Sequence, residues 1–182
     1  MNHFEQGLAA LMSRQFLEAQ VHFDHIANAI PPGEELKYFE SVYQCQKILN
    51  PNEAWKVLRK IIQLKKNEND ARALVELLNG EKDSIPDDHL EFYYENKANI
   101  HFGLGELVTS QENAIKHVNL LFKKKIYHQL EIAVQNYQRK YPLSIYFKFI
   151  ELECSIATEN IEKQNRSVQS IIELLHRKWG KL

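Results

Sequence analysis

Histidine, glutamate and cysteine are the residues of this chain with the most chemical reach, and their spacing decides what they can do. Eight histidines are present. Glu18, His22 and His25 recur at helical intervals, so all three can share one face, the arrangement a divalent metal ion needs. Glu173 and His176 have the Glu-x-x-His spacing that sets a bridging carboxylate beside an imidazole in a helical bundle. A dinuclear centre of that kind needs two such pairs and two more glutamates, and only one pair occurs. His22 and His25 flank Phe23, which puts them at the margin of a buried face. The expectation is no metal and no cofactor. No H-E-x-x-H, G-x-S-x-G, C-x-x-C or P-loop spacing occurs, and Gly103-Leu104-Gly105 falls where a helix should end, with no strand before it. No catalytic residue is assigned, and the chain is expected not to be an enzyme.

Composition narrows the partners. A length of 182 residues, 44% of them apolar and 26% charged, suits a globular chain with a sizeable core. A formal net charge of -1 lacks the basic excess that nucleic acid or an anionic membrane attracts. The first residues, MNHFEQ, carry no signal-peptide pattern, and no apolar run is long enough to span a bilayer. Cys45 and Cys154 are too few for a disulfide framework, so a reducing, cytoplasmic setting is expected.

The elements that must position any site are helices. Phe4, Leu8, Leu11 and Met12 form one stripe at helical spacing; Phe16, Ala19, Phe23 and Ile26 form the next. Leu36, Phe39, Tyr43 and Ile48, then Trp55, Leu58, Ile61 and Ile62, continue the pattern without strand-like alternation. Asn50-Pro51-Asn52-Glu53 predicts a helix start with proline at its first position. Thr109-Ser110-Gln111-Glu112 has the form of a second capping box. Pro31-Pro32-Gly33, Asn79-Gly80 and Tyr141-Pro142 predict breaks. Short connections between breaks predict antiparallel hairpins.

The punctuation repeats about every 34 residues, the period of a helical-hairpin array. Five units are predicted, at approximately 1–33, 35–68, 69–109, 111–144 and 145–178, forming one all-α superhelical domain over residues 1–182. The third is enlarged by a longer inner loop.

Gly7, Phe16, Ala19, Phe23 and Pro31 in the first unit, and Leu121, Tyr127, Leu130, Val134, Tyr137 and Pro142 in the fourth, resemble the tetratricopeptide repeat family. The repeats are degenerate: Val42 stands where the family has a small residue, and its Trp-plus-Leu-Gly signature is nowhere complete. The resemblance implies a solenoid whose first helices line a concave groove. The groove positions are then Phe4, Leu8 and Met12; Phe39, Tyr43 and Lys47; Ile115, Asn119 and Phe122; and Tyr146 and Phe149. Each has core packing as its alternative. An apolar, aromatic groove suits an apolar helix or extended peptide of another protein. The Lys, Asn and Arg clamp with which some members hold chaperone tails is replaced here by Phe4, Leu8, Phe39 and Tyr43.

The expected function is a protein-interaction module: an adaptor, assembly factor or chaperone, with neither nucleic acid nor membrane as partner and homodimerisation open. A secretion-system-type chaperone shares this plan of repeats alone. A helical-repeat RNA-binding protein and a peptide or small-molecule sensor are the rival expectations. Residues 81–95 carry six acids against Lys82, and Lys123-Lys124-Lys125, followed later by Arg139-Lys140, forms a basic counterpart. These charges are expected on solvated faces and near helix ends, with steering of a basic partner as the sharper alternative.

Overall fold

The computed structural model describes residues 2–67, 71–82 and 85–180, and every regular element among them is helical. The chain divides into two compact units, Met1–Pro86 and Asp87–Leu182.

The first unit holds α1 (His3–Met12), α2 (Phe16–Ile26), α3 (Glu35–Leu49), α4 (Pro51–Asn67) and α5 (Ala71–Gly80). α1 pairs with α2 and α3 with α4 as antiparallel hairpins; α2 packs on α3, and α5 on α4. Asn2 starts the first helix with a capping box. Its side chain accepts from Glu5 N–H at 2.9 Å, while its own N–H donates to the Glu5 carboxylate at 3.1 Å. Pro51 opens α4 as predicted, since the first turn needs no N–H there. The Pro31-Pro32-Gly33 break separates α2 from α3. Ala19 and Phe23 are fully buried against Phe4, Tyr38, Val42 and Cys45.

The second unit opens with a 3-10 turn, Asp87–His89. It continues through α6 (Leu90–Gly103), α7 (Leu107–Lys123), α8 (Tyr127–Lys140), α9 (Ile145–Ala157) and α10 (Ile161–Trp179). α6 pairs with α7 and α9 with α10, and α8 packs between α7 and α9. The frame differs from the predicted one, in which residues 111–144 pair α7 with α8 as a unit. Leu121, Leu130, Val134 and Phe147 are the centre of this core.

One device makes four of these turns. Arg14, Gly105, Lys125 and Glu159 adopt left-handed backbone at φ 58°, 77°, 59° and 55°. Each donates its N–H to the carbonyl three residues back, and the next residue donates to the carbonyl five back: Gln15 to Ala10, Glu106 to His101, Ile126 to Leu121 and Asn160 to Ser155. This double bond satisfies the last carbonyls of the outgoing helix and reverses the chain within three residues. Three of the four left-handed positions lack glycine and carry a steric cost of about 1 kcal/mol each.

The Thr109-Ser110-Gln111-Glu112 box is not a helix start. α7 begins earlier, at Leu107, straight after the Gly105 turn. Ser110 is fully buried one turn inside, where its hydroxyl donates to Ala98 O at 2.5 Å and meets the Tyr141 hydroxyl. Its small size and its tertiary hydrogen bonds, not capping, explain its presence.

The acidic stretch is also divided. Glu81 is buried and accepts from Lys47 Nζ at 2.7 Å in the first unit. Glu91 pairs with Lys124 at 2.8 Å in the second, so one lysine of the basic run is engaged within the chain. Asp87 and Asp88 are exposed in the 3-10 turn, and Asp83 lies outside the described residues. Among the described residues no helix is long and apolar enough to cross a membrane.

Candidate functional site

In the first unit the predicted groove positions fall into two groups. Phe4 and Tyr43 are buried, and Leu8 and Phe39 pack partly buried against the same core. Phe39 meets Tyr38 edge-on at 5.1 Å. Tyr43 and Lys47 turn toward Glu81 at the end of α5. Burial, then a hydrogen bond to Glu81, pushes the Tyr43 hydroxyl well above the usual phenol range, while Lys47 supplies the neutralising charge. This triad ties α3 to the chain after α5. Met12, 87% exposed, is the one predicted groove residue of this unit that is fully open to solvent.

In the second unit α7 and α9 touch, and they bring two predicted positions together: the Tyr146 hydroxyl donates to Asn119 Oδ1. Ile115 and Phe122 pack partly buried on the core, with Phe122 edge-on to Tyr127 at 6.2 Å. Phe149 stands 46% exposed.

Phe149 is one of several exposed apolar residues on α9 and α10. On α9 the core face is Phe147, Ile150 and Cys154. Ile145, Phe149, Leu152 and Ile156 form a second apolar stripe at spacings of four, three and four, centred on the opposite side of the helix. Phe149 and Ile156 in that stripe are exposed. α10 also carries an exposed apolar stripe, beside its buried one. Ser167, Ile171 and Leu174 are buried, while Ile161, Val168, Ile172 and Trp179 stand exposed by 70, 43, 41 and 62%. With partly buried Leu175, these are spaced by seven, four, three and four residues, as in a helix-packing seam. The α9–α10 hairpin therefore offers apolar side chains beyond those its own core uses, and isolated exposed leucines do not produce such a pattern. The signal was present in the sequence: α9 is apolar on two sides, and one side suffices for a hairpin.

The histidines sort themselves by environment. His3 and His22 approach through their Nδ1 atoms at 3.2 Å, and His3 stacks on His25 at 4.7 Å. Glu173 accepts from Gln169 at 3.3 Å. Among the described residues no group of three or more metal-binding side chains is placed to hold an ion.

His117 is different, being buried in α7 with Nδ1 3.0 Å from the Tyr137 hydroxyl. Burial lowers its pKa, against the opposing pull of Glu95 and Glu91, and pushes the Tyr137 hydroxyl up. The folded protein thus holds His117 neutral at a pH where the unfolded chain binds the proton. Stability is therefore full above the ordinary histidine value of about 6.5 and falls as pH drops below it, by at most about 1.4 kcal/mol per pH unit. His117→Gln should flatten that slope in urea denaturation between pH 7 and pH 5. An unchanged slope would assign the acid sensitivity elsewhere.

Comparison with family models, curated proteins and solved structures returns no match for this chain.

Proposed function

We propose that this protein is a non-catalytic interaction scaffold of tetratricopeptide type, working in the cytoplasm as an adaptor, assembly factor or chaperone. The observation that carries this reading is the doubled apolar pattern of α9 and α10. A third helix laid along Phe149, Ile156, Val168, Ile172 and Trp179 would bury side chains that now face water. Burial returns about 25 cal/mol per Å² of apolar surface, and the seam spacing matches a helix better than a flat surface. The occupant is accordingly an amphipathic helix of a partner protein. A formal net charge of -1, without a basic excess in the sequence, favours this over RNA.

Val168→Asp combined with Ile172→Asp should abolish partner binding while leaving far-UV helicity unchanged, because both side chains are already exposed in the free protein. Collapse of helicity would place these residues in a core. Unchanged binding would move the site elsewhere, and loss of a self-assembled species would name a second copy as the occupant.

A further inference from the structure

Lys140, the last residue of α8, is a partly buried cation of the second unit held by neutral groups. Lys124, Lys148 and Lys163 in the same unit each have a carboxylate partner. Lys140 has none among the described residues. Its ammonium donates to the neutral Asn99 Oδ1 at 2.5 Å and lies 5.0 Å from the Phe102 ring centroid and 6.0 Å from that of Tyr137. Burial lowers its pKa, with Glu95 the only group pulling the other way. A partly desolvated ammonium held by neutral partners leaves its charge incompletely compensated.

The space around it is built to receive a small anion. Lys140 lines a cavity of about 240 Å³ with Arg139, Asn136, Asn99, His117 and Glu95. That volume is below the range of about 300–1,000 Å³ typical of whole ligands and fits one functional group. In the cavity two fixed cations stand with one carboxylate, and Lys178 lines the hollow as well, so the excess charge is positive and suits an anion. Lys140 also lines an open hollow of about 450 Å³, where Leu107, Leu143 and Tyr146 offer apolar surface.

We propose that this cavity and hollow form a binding site for a monocarboxylate with an apolar body. The carboxylate is held by Lys140 and Arg139, with the Asn136 amide as a further donor. The apolar part lies over Leu107, Leu143 and Tyr146. The hollow meets the α9 stripe only at Ile145, and none of Phe149, Ile156, Val168, Ile172 and Trp179 lines it, so the site stands whether or not that surface binds a helix. The same chemistry is offered by a free aliphatic acid and by an acidic residue flanked by apolar ones on a partner peptide.

The test is an NMR titration of the full chain, following the lysine ε-methylene signals, with octanoate, acetate, uncharged octanol and a Leu-Asp-Leu peptide as probes. Octanoate or the peptide should shift the Lys140 signal saturably, at least about tenfold more tightly than acetate or octanol. A response to the peptide alone identifies the source as a protein partner; a response to octanoate identifies a free acid. Lys140→Met should remove that binding. It should also leave thermal stability equal or higher without ligand, because it deletes an uncompensated charge. No saturable shift with either probe, or equal affinity in Lys140→Met followed through the Lys178 ε-methylene signal, would overturn the proposal.

Discussion

Replacing Phe147 with alanine is expected to destabilise the protein by about 3–5 kcal/mol, the range for deleting a fully buried aromatic side chain. Phe147 has no solvent exposure. Its ring stacks on Tyr137 at 5.5 Å and on Tyr141 at 5.8 Å, and meets Tyr146 edge-on. Those two stacked tyrosines carry two buried polar contacts, Tyr137 to His117 and Tyr141 to Ser110. Deleting the ring therefore opens a cavity and removes the surface that orients both hydroxyls. Against a typical total of about 5–15 kcal/mol, this is a large fraction. The urea midpoint followed by far-UV circular dichroism should fall accordingly. A change below about 1 kcal/mol would mean that α8 and α9 do not pack as described.

Gly7→Val is expected to cost about 3 kcal/mol, for the opposite reason, overpacking. A Cβ at position 7 would stand 2.7 Å from Phe23 Cε1 and 3.0 Å from Cδ1 and Cζ. Phe23 has no free volume to retreat into: it is fully buried, tilted against Phe4 at 6.3 Å and edge-on to Tyr38 at 6.0 Å. Gly7→Ala should also destabilise, although alanine gains about 1 kcal/mol in helix propensity over glycine. Phe23→Leu should lessen the cost of Gly7→Ala, giving a favourable coupling in a double-mutant cycle. If Gly7→Ala stabilises the protein, α1 and α2 do not cross as closely as the structure places them.

The helices were legible in the sequence because burial imposes a spacing that survives any change of partner. Ala19, Phe23, Leu130, Val134 and Tyr137 lie in the core where the repeat placed them. The turns were harder. Arg14, Lys125 and Glu159 occupy left-handed positions that glycine would normally announce, so three of the four connectors left no signature. Small serines misled in another way. Ser110 and Ser167 fill close helix crossings, 0 and 3% exposed, where alanine or glycine is the usual mark. Counting Ser167 as polar shifts the apparent buried face of α10 by one residue, onto Val168, which is exposed. The polar cavity at Lys140 could not be read at all, since it joins Glu95, His117 and Arg139 from three helices with no common period. The groove positions were assigned by family analogy. Side-chain placement divides them between core, as for Phe4 and Tyr43, and surface, as for Met12 and Phe149.

The central claim is that an apolar helix of another protein docks on α9 and α10. Its most direct measurement is quantitative affinity capture from the native host with three baits: the wild type, Val168→Asp/Ile172→Asp, and Arg166→Asp/Glu173→Lys, which alters charge on the polar side of α10. One stoichiometric protein is expected with the first and third baits and its loss with the second, all three having equal helicity. Equal recovery with all three baits, or recovery of RNA in place of a protein, would contradict it.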